Sequence, residues 1–113
     1  MSVVQTMRLV VNRRALVRAC ARAAEHGVAR GGLYDVRGSA LVIWPEPRGA
    51  RPLKRRGEPI GMISWEWSVP AEPFATVTWV EAAEGHSPDE MLAHLHRLLN
   101  PTRAVGPGDG YLA

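Results

Sequence analysis

An α+β fold with about four mainly antiparallel strands and two helices packed on one face, in the order (β)-α-β-β-β-α, is what three stretches of this chain predict. Ile60 to Val69 and Phe74 to Glu81 alternate in character on either side of Pro70-Ala71-Glu72-Pro73, which continues neither run, so they read as a hairpin at the centre of a sheet. Ser87-Pro88-Asp89-Glu90 is a capping box with proline at the first helical position, and Met91, Leu92, Leu95, Leu98 and Leu99 follow it as an apolar stripe. Arg13 to His26 is bracketed by Asn12, a good N-cap, and Gly27, a good C′ residue, which marks the other helix.

In chain order, Ser2 to Val11 reads as an N-terminal strand with imperfect alternation. On the helix that follows, Leu16, Val17, Cys20, Ala23 and Ala24 share one face, and Arg14, Arg18 and Arg22 form a ladder on the other. An arginine row at this spacing either tracks a phosphate backbone or an acidic partner, or is simply a solvated face. Cys20 belongs to the apolar face and reads as a small core residue.

After Ala29-Arg30-Gly31-Gly32 comes Leu33 to Trp44, which Gly38-Ser39 divides either as a tight turn between two short strands or as a bulge in one. Leu41, Val42, Ile43 and Trp44 are apolar without alternation, the pattern of a strand covered on both faces. Pro45 ends it. The loop to Glu58 carries Arg48, Arg51, Lys54, Arg55 and Arg56 among prolines and glycines, so it reads as a basic arm or a charged, solvated hairpin tip. In the first strand of the central hairpin Gly61, Ile63, Trp65, Trp67 and Val69 face one way. Trp44, Trp65, Trp67 and Trp79 would fill a core, cover an interface, or stack on bases. Sharing a face with Ile63 and Val69 puts Trp65 and Trp67 in a core or an interface.

Residues 1–100 form a single expected domain, long enough for one core without metal or disulfide. Residues 101–113 form a flexible or partner-ordered tail, with Tyr111 and Leu112 as candidate anchors. The single cysteine precludes an internal disulfide, and no apolar run has the length of a membrane span. The N-terminal tract lacks the plan of a signal peptide, so the expected setting is cytoplasmic, or a virion if the chain is phage-encoded.

Charge is unevenly divided. Residues 1–56 hold twelve of the fourteen Lys and Arg and three acids, a net +9; residues 57–113 hold two bases and eight acids, a net −6. Either the basic part presents a surface to an anion or to another copy of the chain, or the two parts interleave and neutralise each other. His94 and His96 lie about 200° apart on a helix and cannot share a metal, and no phosphate loop, nucleophile elbow or zinc-protease motif occurs. No cofactor or metal is expected, and no residue is singled out for catalysis.

Val36-Arg37-Gly38-Ser39, placed after a helix ending at Gly27, resembles in a general way the HicA-type toxins, whose double-stranded-RNA-binding-like fold acts on mRNA. That family has a catalytic histidine directly after Gly-Ser, where this chain has Ala40. A strand such as Ala75 to Ala82 leading into Ser87 to Leu99 is similar to phage tail-terminator and related head-to-tail joining proteins. The expected function is therefore a non-catalytic interaction module, a subunit of a homo-oligomer or larger assembly, of phage joining type on the second resemblance. Its expected partner is itself or another protein, through Trp65, Trp67, Tyr111 and Leu112 or through the basic residues. The alternative is a small basic nucleic-acid-binding protein using Arg14, Arg18, Arg22 and the loop from Arg48 to Arg56.

Overall fold

The computed structural model describes residues 2–45, 58–68 and 72–101. Five strands and two helices follow one another as β1 (Val3–Asn12), α1 (Arg13–Glu25), β2 (Tyr34–Arg37), β3 (Ala40–Ile43), β4 (Gly61–Trp67), β5 (Phe74–Ala82) and α2 (Pro88–Leu99). The strands form one antiparallel sheet in the order β1-β5-β4-β3-β2. The expected N-terminal strand is a full member of the sheet, which brings the count to five. Helix α1 carries the chain from β1 across one face to the opposite edge, and β2 to β5 then return as a meander that ends beside β1.

Local chemistry sets the element ends. The Asn12 side chain accepts a hydrogen bond from the Ala15 amide at 3.1 Å, satisfying a donor that the first turn of α1 leaves free. Gly38 (φ +58°) and Ser39 close a two-residue turn between β2 and β3, so the Gly-Ser pair is a hairpin turn. Gly27 departs from expectation: its φ is −79°, outside the left-handed region. A Cβ there would lie 2.9 Å from the Ala24 carbonyl oxygen, so close approach explains this glycine. At α2, Ser87 Oγ accepts from the Glu90 amide at 3.2 Å as the capping box requires. The Glu90 carboxylate, expected to reach back to Ser87, instead pairs with His86 Nδ1 at 2.9 Å.

Both helices cover the face formed by Tyr34, Leu41, Ile43, Ile63, Trp65, Ala75, Val77, Val80 and Ala82. Leu16, Ala19 and Ala23 of α1 and Met91, Leu95 and Leu98 of α2 complete the core. The buried face of α1 is turned from the one expected: Ala19 joins it, while Val17 and Ala24 are exposed. Two alanines near Leu16 let the helix settle against its neighbours, where valine would hold it away. Trp44 and Val42 are also buried, outside this cluster, and the Arg37 guanidinium lies 5.8 Å from the Trp44 ring centroid. All four residues from Leu41 to Trp44 are thus covered, as their unbroken apolar run implies.

β5 does not alternate throughout. Ala75 and Val77 point to the core, and so do Val80 and Ala82, because the register with β4 steps between the Ser64–Trp79 and Trp65–Val77 pairs. The extra residue is Thr78. A bulge of this kind lets the side-chain phase slip by one position, and here it turns Trp79 outward.

Candidate functional site

Among the described residues, the sequence-selected Arg14, Arg18, Arg22, Trp65 and Trp67 have different surroundings. Arg14 and Arg18 are exposed on α1. Arg22, the third rung of the expected ladder, bends toward α2, where its Nη1 donates to the Leu98 carbonyl at 2.6 Å. Trp65 is 3% exposed and belongs to the protein's own core. Trp67 is half-exposed at the end of β4, edge-on to Trp65 with centroids 6.0 Å apart, and the Arg13 guanidinium sits 5.2 Å from its centroid. Arg48, Arg51, Lys54, Arg55, Arg56, Tyr111 and Leu112 lie outside the described residues.

The sheet has two unequal edges. β2 is four residues long and carries Asp35 and Arg37, which form an ion pair on its surface. A short, charged strand of this type resists pairing with another chain. β1 is ten residues long, contains no proline and holds Arg8 as its one charge. β5 pairs along one side of it, with a register step between Thr6 and Leu9, and no strand lies on the other side among the described residues.

Exposed apolar side chains concentrate along that edge. Val3, Val4 and Val10 are 53%, 45% and 56% exposed. Val4 and Val10 face away from the helices, as do their β5 partners Glu81 and Thr76, because directly paired residues share a face. Trp79, 38% exposed, stands on the same face opposite Thr6. The outer face beside β1 therefore mixes valine, threonine and tryptophan. Sequence alternation pointed to the apolar residues of β1, but it could not show that the strand would lie at an edge, since that depends on β5 returning beside it.

A second feature lies at the carboxyl ends of the helices. Arg22 of α1, His26 at its C-cap, Tyr34 of β2, and His94, His96 and Arg97 of α2 line a cleft of about 740 Å³. His94 is 6% exposed; its Nδ1 lies 2.8 Å from the Tyr34 hydroxyl and 3.1 Å from Arg97 Nη2. Arginine can only donate, so Nδ1 is the acceptor and the ring proton lies on Nε2. The sequence held a signal for this residue: His94 is three positions after Met91 and four before Leu98, on the apolar stripe, where a polar side chain requires a partner. Among the described residues no group of three or more His, Cys, Asp or Glu is placed to hold a metal ion, and no helix is long and apolar enough to cross a membrane.

Comparison with known protein families, curated proteins and solved structures finds no match to this chain.

Proposed function

We propose that this protein is a non-catalytic assembly module whose first partner is a second copy of itself, joined through β1. The observation that carries the reading is the contrast between the edges: β2 is short and charged, whereas β1 is long, valine-rich and, among the described residues, has no strand on its outer side. Two β1 strands related by a twofold axis at Met7 would pair antiparallel and extend the sheet to ten strands.

This register suits the side chains. It sets Val4 opposite Val10 and Thr6 opposite Arg8 on the outer face, with Val3 opposite Val11 and Gln5 opposite Leu9 on the helix side. An axis at Arg8 would bring two arginines together, and an axis at Thr6 would set Val4 against Arg8. Charge on the edge thus selects the register that also pairs the valines. Backbone hydrogen bonds and apolar contacts would hold such a dimer, so its affinity should change little with salt.

The nucleic-acid reading would use Arg14, Arg18 and Arg22 as one row, together with the loop from Arg48 to Arg56, which lies outside the described residues. It is less well supported, because Arg22 leaves the line of Arg14 and Arg18 and bends to the Leu98 carbonyl of α2. Size-exclusion chromatography with light scattering at low and high salt, recording absorbance at 260 and 280 nm, separates the two. The edge-pairing reading expects a nucleic-acid-free dimer at both salts and a monomer for Val10→Glu. A monomer that carries nucleic acid at low salt and loses it at high salt would replace it with the alternative.

A further inference from the structure

We propose that the cleft between the carboxyl ends of α1 and α2 binds a phosphate monoester with an apolar body. Two guanidiniums border it; among the described residues Arg22 donates to the Leu98 carbonyl and Arg97 meets the ring of His94. Neither has a carboxylate partner among the described residues, and no carboxylate is among the described residues that line the cleft. Two guanidiniums in a concave wall focus a positive potential on an incoming anion, working against the partial negative charge of the helix carboxyl ends.

Helix carboxyl ends attract cations, which accounts for Arg22 on the Leu98 carbonyl. It does not account for Arg97, which is held by a buried histidine and not by a helix-end carbonyl. The Tyr34 hydroxyl beside Nδ1 and the Tyr34 ring, edge-on to the imidazole at 5.6 Å, fix His94 and so the guanidinium it receives. An arginine keeps several donors beyond the one used here, so two of them, with the Asn100 amide at the rim, offer more hydrogen bonds than a carboxylate needs. Leu33, Leu98 and Pro101 supply an apolar wall, which is why an organic phosphate is favoured over the bare ion.

The site is independent of β1 pairing, and its test is separate. Phenyl phosphate and inorganic phosphate are titrated into ¹⁵N-labelled full-length protein at constant ionic strength while amide shifts are followed. The expected result is saturable shifts confined to the ends of α1 and α2 and to β2. Phenyl phosphate should bind about tenfold tighter than inorganic phosphate, and Arg97→Gln should weaken it about tenfold while Arg14→Gln does not. Absence of saturable shifts, equal binding of the two phosphates, or equal loss in both variants would overturn the proposal. The wild-type comparison of the two phosphates stands even if a variant fails to fold.

Discussion

Trp65 carries its indole Nε1 into the core, where it has no hydrogen-bond partner among the described residues. A buried donor left unpaired costs about 1–3 kcal/mol, which offsets part of what the ring contributes by packing. Trp65→Phe removes the donor and keeps most of the ring, so its stability in urea should fall within about 1 kcal/mol of wild type, whereas Trp65→Ala should lose about 3–5 kcal/mol. Equal losses in the two would mean that the indole N–H contributes to the fold. Cys20 is a second residue whose environment sets its chemistry. Burial raises its thiol pKa, because the thiolate is poorly solvated there. A raised folded value stabilises the fold below the ordinary thiol pKa, and that contribution is lost as pH rises through the raised value. At neutral pH, Cys20 should react with a disulfide reagent at least about tenfold more slowly in the native protein than in urea; equal rates would place it in solvent. His94 shows where reading by residue stops. Its position on the stripe was visible in sequence, but Tyr34 is sixty residues away, and only the fold brings its hydroxyl to the ring.

At the scale of elements, most of the fold was legible because local chemistry and periodicity agree. Asn12 and Ser87 cap the helices they precede, and the central hairpin is β4 and β5. The rotation of α1 was not legible: Val17 and Ala19 compete for one face, and the neighbours that choose between them are remote in sequence. The bulge at Thr78 was hidden for a related reason, since Ala75, Val77 and Trp79 satisfy strict alternation and only pairing with Ser64 and Trp65 breaks it. Gly61 shows how closely α2 lies on the sheet. A Cβ there would collide with Met91 Sδ and would stand 2.6 Å from the Glu81 carbonyl oxygen. Met91 can move, but the backbone of β5 cannot move without lengthening its ladder. Gly61→Ala should therefore destabilise by about 1–3 kcal/mol in denaturant titration. An unchanged midpoint would show that α2 rests further from β4.

For the whole molecule, the division of charge has a structural form. Arg14 and Arg18 stand on the exposed side of α1, while Glu66 and Glu81 face the other way, on the side of the sheet turned from the helices. Within the sheet the strands of the two parts nevertheless interleave: β1, then β5 and β4, then β3 and β2. The apolar edge at β1 runs beside this outer face, so that a joined pair of sheets would present one continuous surface with both helix layers behind it. The most direct test of the account is disulfide formation between two copies of the chain, in a Cys20→Ser background, at Met7→Cys compared with Thr6→Cys. Residues facing across an antiparallel pair have Cα atoms about 4.5–5.5 Å apart, within disulfide range, whereas the neighbouring position is displaced diagonally. Under mild oxidation, a covalent dimer of twice the 12.4 kDa chain mass should form at position 7 and only weakly at position 6. A chain that stays monomeric at both positions, or cross-links equally at both, would contradict pairing through β1 about Met7.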